Sequence, residues 1–351
     1  MARPDFAFQT STHTIHQGEG KDRFVASPGQ LVFHLSPERQ ELPPELDTPE
    51  MERAVMAWLM ARGGRRLNLN GRSREIAPHH LDRLPAGPVS RLISIAPSNA
   101  EIVGALGATH LLVGVESSSD FPPEVKRLPQ LGPDLFVDLP ALTALQPDLV
   151  LASLTVPGME RNITALEQAG IPYLVLAPTT LAEIGASMAR VGEVLGMTEQ
   201  ADAALRDFQD RIERFRQEAG SAPPTRVYLE WWPKPMFTPG SVCWSNELIR
   251  LAGGVNVFSA LPGQSQEVSA AQVAEADPQV VFVSWCGVPA NKLDPERVLK
   301  REGLEAVSAV RNGRVFAVDE ALMGRPGPRV LDGVARMAEY IRAWQIRSGN
   351  Q

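Results

Sequence analysis

Residue types able to do covalent or acid–base work are sparse in this chain of 351 residues, which has two cysteines and six histidines. Cys243 and Cys286 stand too far apart in sequence to read as a disulfide framework, and neither has a histidine near it. His110 is the only histidine of the regular part of the chain. It precedes a predicted strand, where a structural role suits it. His13-x-x-His16 and His79-His80 offer metal-ligand side chains, but no matching carboxylate or thiol cluster accompanies them. No P-loop, G-x-G-x-x-G or G-x-S-x-G is present, and Gly240-Ser241-Val242-Cys243-Trp244 reads as a loop, not a nucleophile elbow. No catalytic residue, metal site or required cofactor is therefore assigned. The enzymatic alternative is chelatase or reductase chemistry at Cys286.

Binding chemistry is better represented. Ligands of open α/β sheets sit beyond the carboxyl ends of the strands, so the residues after each predicted strand are the candidates. In the first half these are Pro97, Ser98 and Asn99, then Ser118, Asp120 and Phe121, then Thr155. They are mostly small and polar and lie near predicted helix N-termini, whose free amides suit anionic or carbonyl groups. In the second half they are Trp231 and Trp232, Trp285, and Arg325. The chain has only six tryptophans, so three at strand ends point to a flat aromatic wall with few torsions to freeze.

The elements that must position these residues alternate. Leu92–Ala96, Leu111–Val115, Asp148–Ser153 and Tyr173–Leu176 read as strands. Helices are predicted over Ser98–Leu106, Leu139–Leu145 and Arg161–Ala169, with Ser98 and Glu101 as a capping box. The order recurs with strands at Arg226–Glu230, Val280–Trp285 and Arg314–Val318, and helices at Asn246–Ala252, Ser269–Ala276 and after Asp294-Pro295. Alternation of this kind implies parallel sheets covered on both faces. Ala144–Leu151 and Glu275–Phe282 match in kind, a weak internal repeat that suggests two similar lobes. Leu181–Ala219 lies between them. Ala201, Leu205, Phe208, Ile212 and Phe215 form one apolar stripe there, and some 20 residues at ~1.5 Å each reach about 30 Å, enough for a stiff strut. Gly192 and Gly196 interrupt its first part.

The predicted organisation is an N-terminal extension over 1–89, an α/β lobe over 90–179, a linker helix over 180–220 and a second α/β lobe over 221–351. Within the extension, 25–35 reads as a hairpin, and 49–61 as a helix stopped by Gly63-Gly64. A formal net charge of −7 and a pI near 5.5 disfavour a nucleic-acid surface. No apolar run approaches the ~20 residues that span a bilayer. Residues 1–20 are polar, without an apolar h-region or small-residue cleavage site, so the sequence as written is expected to be cytoplasmic.

From Arg91 to about Gln345 the chain resembles the substrate-binding proteins of ABC importers for vitamin B12, ferric siderophores and haem. The residues that carry the likeness are 92–102 (LISIAPSNAEI), 113–115 (VGV), 120–124 (DFPPE), 145–150 (LQPDLV), 252–258 (AGGVNVF) and 325–329 (RPGPR). The cobalamin-binding members are the nearest. The resemblance implies two Rossmann-like lobes joined by one long α-helix and a bulky ligand, a corrinoid first and a ferric siderophore or haem next, held in the inter-lobe cleft without chemistry. It places Trp231 on an aromatic ligand position and Arg325 on a polar one, with Ser118, Asp134 and Ser265 where relatives have aromatics. It also implies a periplasmic or extracellular location and docking on a permease through one glutamate per lobe. Those two positions are Pro140 and Ala271 here, with Asp138 and Glu267 close by. The alternative is a cytoplasmic corrinoid sensor or handling protein that does not dock, with 1–89 as a partner-binding module.

Overall fold

The computed structural model describes residues 7–9, 14–17, 23–27, 31–34, 49–61, 65–69 and 72–349. The chain divides into two compact units. The first runs to Ala177 and takes back Arg190–Thr198, and the second holds Pro178–Ala189 and everything from Glu199.

The first unit begins with an antiparallel meander, Ala7–Gln9 (β1), Thr14–Gln17 (β2), Arg23–Ser27 (β3) and Leu31–His34 (β4). The expected hairpin is β3 against β4, with Ala26 opposite Leu31. Next come Pro49–Ala61 (α1) and a two-stranded ribbon, Arg66–Leu69 (β5) and Arg72–Glu75 (β6). The glycines read as the stop of α1 lie outside the described residues. Every residue of α1 from Ala54 to Ala61 is buried, and Trp58, Leu67, Ile76 and Leu81 share one core with Val150, Ile163, Tyr173 and Val175. The described residues between 54 and 81 are thus built into the first unit. An apolar run with no polar face can only be a helix buried all round.

The parallel sheet of this unit is Leu92–Ser94 (β7), Leu112–Val115 (β8), Leu149–Ser153 (β9) and Tyr173–Leu176 (β10), in the order β10-β9-β7-β8. Pro97–Ala105 (α2), Leu139–Ala144 (α3) and Glu160–Ala169 (α4) alternate with them. Both β9 and β10 are buried along their whole length, as strands covered on both faces must be. The capping box expected at Ser98 does not form. Pro97 already occupies the first helical turn, Ala96 is the N-cap, and Glu101 is buried in the helix. Proline, with its fixed φ and no N–H to lose, takes N1 and moves the helix start ahead of the serine.

The single long helix expected over 180–220 is two helices, Leu181–Val194 (α5) and Thr198–Ala219 (α6). Gly196, at φ +68°, sits in the break, a conformation that costs glycine least. The second unit continues with Thr225–Glu230 (β11), Trp232–Pro233 (β12), Met236–Pro239 (β13), Trp244–Leu251 (α7), Gly254–Asn256 (β14), Ser265–Val268 (β15), Ala270–Ala276 (α8), Val280–Val283 (β16), Glu296–Leu299 (α9), Ser308–Arg311 (α10), Val315–Ala317 (β17) and Val330–Gly349 (α11). Its parallel sheet has the order β14-β11-β16-β17, and β12, β13 and β15 form a small antiparallel sheet that the pattern reading missed.

Both parallel sheets have the spatial order second-first-third-fourth by strand of appearance. The repeat extends to single atoms. Arg91 donates from its guanidinium to the carbonyl of Leu145, and Arg226 does the same to Ala276. The Arg91 amide donates to Asp148 at 2.8 Å, and the Arg226 amide to Gln279 at 2.9 Å. Gln146 (φ 46°) and Asp277 (φ 36°), each before a proline, are the only non-glycine residues at positive φ among those described.

Candidate functional site

In the first unit, β7 lies between β8 and β9, so the loops leaving these three strands are neighbours at the C-terminal edge. They bring Pro97, Ser98 and Asn99, then Ser118, Asp120 and Phe121, then Thr155 to one rim. The proximal part of that rim is locked. Asn99 is buried and donates through Nδ2 to the carbonyl of Ala152 at 3.1 Å, which ties α2 to β9. Ser98 is buried beside it. Thr155 pairs hydroxyl to hydroxyl with Ser153 at 2.9 Å. Ser118 is exposed, Asp120 half-buried and Phe121 37% exposed.

Pattern reading missed Glu116, which follows β8 and is fully buried. Its carboxylate accepts from the Ser118 amide and, at 2.6 Å, from the Ser119 hydroxyl. A buried carboxylate persists only where hydrogen bonds replace water. Here they come from the loop it begins, so Glu116 shapes the turn that presents Ser118, Asp120 and Phe121.

In the second unit, β11 and β16 are adjacent and β17 flanks β16. The amide of Cys286 donates to the carbonyl of Trp231 at 3.0 Å, and the indole N–H of Trp244 donates to Met323 at 2.8 Å. The segments carrying Trp231, Trp285 and Arg325 therefore share one rim. The three tryptophans differ sharply in what they offer. Trp232 is 41% exposed, with its indole N–H donating to the carbonyl of Lys234 at 3.0 Å. Trp231 is only 8% exposed, with its ring 6.4 Å from that of Trp244 and its indole N–H buried without a partner. Trp285, expected in the aromatic wall, is 3% exposed and part of the core, so it presents no face. Side chains alternate along a strand, and Trp285 follows Val281 and Val283 to the buried face.

Glu230 explains Trp285. It ends β11, is completely buried, and gathers four donor groups: the Trp285 indole N–H at 3.0 Å, the Tyr228 hydroxyl at 3.1 Å and two nitrogens of Arg301, one of them at 2.9 Å. The bidentate guanidinium supplies the countercharge that such a carboxylate needs. Burial, with Glu230 beside it, holds the Tyr228 phenol well above its usual range. Arg301 also lines an open groove of about 540 Å³ with Pro233, Lys234, Met236, Val268 and Gln272. Arg325 is mostly buried and stands 3.7 Å from Glu320.

The two thiols differ in exposure, Cys243 being buried and Cys286 exposed. Burial pushes Cys243 up to about 12, and crowding around its sulfur together with Glu320 pushes Cys286 to about 12. Nucleophiles and metal ligands need the thiolate, which such values disfavour at neutral pH. Among the described residues no group of three or more His, Cys, Asp or Glu side chains is placed to hold a metal ion, and no helix is long and apolar enough to cross a membrane. The His79 and His80 rings meet edge to face at 4.3 Å on the surface, His13 lies outside the described residues and His16 lies on β2. The positions where the resemblance expects docking glutamates, Pro140 and Ala271, are both exposed, in the first turns of α3 and α8. Asp138 caps α3, accepting from the Ala141 amide at 3.0 Å, and Glu267 is exposed on β15.

The model of the family described as periplasmic binding protein matches residues 92–322. The vitamin B12-binding protein of Vibrio cholerae is 30% identical over 258 residues, covering 74% of this chain and 91% of that protein. An uncharacterised ABC transporter substrate-binding lipoprotein of Bacillus subtilis, YvrC, is 30% identical over 72% of this chain and 79% of its own length. Among solved structures, the periplasmic vitamin B12-binding protein BtuF of Vibrio cholerae superposes with a TM-score of 0.63, over 74% of this chain and 98% of that one. A periplasmic haem-binding protein from Pseudomonas aeruginosa, 26% identical, gives 0.62 over 71% and 91%.

Proposed function

We propose that this chain, which belongs to the periplasmic binding protein family and is a substrate-binding protein of the ABC-importer type, takes a corrinoid as its ligand. The observation that carries this reading is the 30% identity to a vitamin B12-binding protein, sustained over 98% of the solved chain. Each unit would contribute the loops at the C-terminal ends of its own strands. The first supplies Pro97, Ser98, Asn99, Ser118, Asp120, Phe121 and Thr155. The second supplies Trp231, Trp232 and Arg325, with Trp285 fixing the frame behind them.

The chemistry of these rims supports a corrinoid over haem. Haem iron is held by an axial His, Cys, Met or Tyr, and the chain has three tyrosines, all engaged. Tyr173 donates to Glu167 at 2.8 Å, Tyr228 to Glu230, and Tyr340 is stacked on Phe316 at 4.1 Å. His110 lies before β8, at the end of the strand away from the rim. A corrinoid brings its own metal ligation and peripheral amides, which suit hydroxyl, amide and indole surfaces. The relatives are binding proteins of transporters, and the raised thiols give a chelatase or reductase at Cys286 no support. For permease docking, Glu267 is an exposed acidic residue near the expected position on the second unit.

Calorimetric titration with cyanocobalamin tests the reading, with hemin as the rival ligand. The expected result is saturable heat with cyanocobalamin, weakened about tenfold, or ~1.4 kcal/mol, by Trp232→Ala. A folded sample that gives no heat with cyanocobalamin at high micromolar concentration, or one that shifts the hemin Soret band instead, overturns it.

A further inference from the structure

Two residues that precede the family match, Arg65 and Asp82, hold the chain where it leaves the first unit and where it returns. The match begins at residue 92. Ala177 is the last residue of the first unit before the chain passes to the second, and Arg190 is the first after it comes back. Arg65 donates through Nη2 to the Ala177 carbonyl at 2.8 Å. The carboxylate of Asp82, nearly buried, accepts from the Val175 amide at 2.9 Å and faces Arg190 Nη2 at 3.4 Å. Arg190 in turn holds Glu193 at 2.6 Å.

The segment that carries them is firmly seated. Arg83 exchanges backbone hydrogen bonds with Tyr173, at 2.9 and 2.7 Å, so residues 82–83 run along the free edge of β10. Glu167 on α4 accepts from Arg53 at 2.7 Å and from the Tyr173 hydroxyl at 2.8 Å, and pairs with Arg83 at 2.9 Å. Burial alone would raise the Glu167 carboxyl; the bonds from Arg83, Tyr173 and Arg53 hold it below its usual range. A carboxylate gripped by two guanidiniums and a phenol fixes α1, the 82–83 edge and α4 to one another.

We propose that Arg65 and Asp82 clamp both first-unit ends of the crossing segment 178–189 onto the β10 edge, so that local opening at the crossing must first break their bonds. Opening free energies are set by the buried contacts and hydrogen bonds that the opening disrupts. The clamp does not depend on which ligand is bound.

Hydrogen–deuterium exchange of the full-length protein without added ligand tests the clamp independently of the corrinoid reading. Asp82→Ala is expected to speed exchange at residues 175–177 and 190–194 about tenfold and Arg65→Met at 175–177 alone, each leaving β7, β9, β11 and β16 unchanged. Asp82→Asn separates the two attachments. It keeps an acceptor for the Val175 amide but removes the ion pair, so only 190–194 should loosen. Burial already pushes the Asp82 carboxyl up, against the pull of Val175 and Arg190 and of His79 nearby, so a neutral amide is tolerated there. Unchanged exchange at 175–177 and 190–194 overturns the proposal. So does acceleration spread evenly over the first unit, which would mark simple loss of stability. If Asp82→Ala fails to fold, the split pattern of Asp82→Asn decides alone.

Discussion

The two parallel sheets are the same frame closed by different chemistry. Each has the order second-first-third-fourth, each has an arginine at the start of its first strand bonded to the carbonyl end of the helix before its third, and each turns into that third strand through a non-glycine residue at positive φ. What differs is the buried carboxylate at the C-terminal edge. Glu116 is satisfied by an amide and a hydroxyl of its own loop, two and three residues away. Glu230 is satisfied by Trp285 and Arg301, 55 and 71 residues away, as well as by Tyr228. The frame can be repeated because it is mostly backbone. The rims diverge because side chains can be exchanged on a fixed frame.

The largest expected effect exploits that contrast. Glu230→Ala leaves a guanidinium and an indole N–H without their acceptor in a buried place, and should cost about 3–5 kcal/mol. Glu116→Ala removes the acceptor of the Ser118 amide and the Ser119 hydroxyl and should cost less, about 1–2 kcal/mol. Urea unfolding midpoints measure both. Equal losses would mean that the two carboxylates are energetically alike. Glu230→Gln, which keeps an acceptor but not the charge, should fall between wild type and Glu230→Ala.

A smaller effect tests the turn before the third strand. Gln146 is exposed and pays a left-handed penalty of about 1 kcal/mol. Gln146→Gly should therefore stabilise the protein by about that amount. Asp277 has the same backbone conformation, but its carboxylate accepts from the Ser308 amide at 2.6 Å and the Ser308 hydroxyl at 2.8 Å. Asp277→Gly loses those bonds, worth about 1 kcal/mol each, and should gain nothing or lose stability. Opposite signs for one substitution at paired positions would show that the repeat conserves a conformation and not an interaction. A gain at both sites would refute this.

The frame was largely legible in the amino-acid sequence. Runs such as Leu149–Ser153 and Val280–Val283 are short, apolar and preceded by proline, and they fold as the expected strands. Legibility failed wherever a partner far along the chain decides the outcome. Nothing near Glu230 announces Arg301, and a tryptophan ending a strand reads alike whether its indole points to solvent, as Trp232, or to a buried carboxylate, as Trp285. The β12-β13-β15 sheet was invisible because Trp-Pro and Met-Phe-Thr-Pro are short, lack a clean alternation and each end in proline, which argues against a strand in a sequence. Residues 49–89 read as an appendage because their periodicity says nothing of what they cover. The shared core with Val150, Ile163 and Tyr173, and the long-range bonds to Glu167, Tyr173 and Ala177, make them part of the first unit.

The subtlest difference between the repeats is one of titration. Where the Arg226 amide meets the uncharged Gln279, the Arg91 amide meets Asp148, whose Oδ2 also accepts from the Ser90 amide and hydroxyl, each at 2.8 Å. The Ser90 amide first, then its hydroxyl and the Arg91 amide, hold the Asp148 carboxyl below its usual range. A lowered carboxyl adds stability above its unfolded pKa, near 4, and loses it as the pH falls through the lower folded value. The first repeat should therefore weaken in acid at this point while the corresponding point of the second does not. Asp277, also held low by Ser308, keeps its own acid dependence in the second unit. Asp148→Gln, which copies Gln279 into the first repeat, should leave stability near pH 7 slightly reduced and flatten the decline below pH 4. The effect is small because Asp148 is solvent-screened. Melting temperatures of wild type and variant from pH 7 down to 2.5 measure it, and parallel curves below pH 4 would show that this clamp takes no part in acid unfolding.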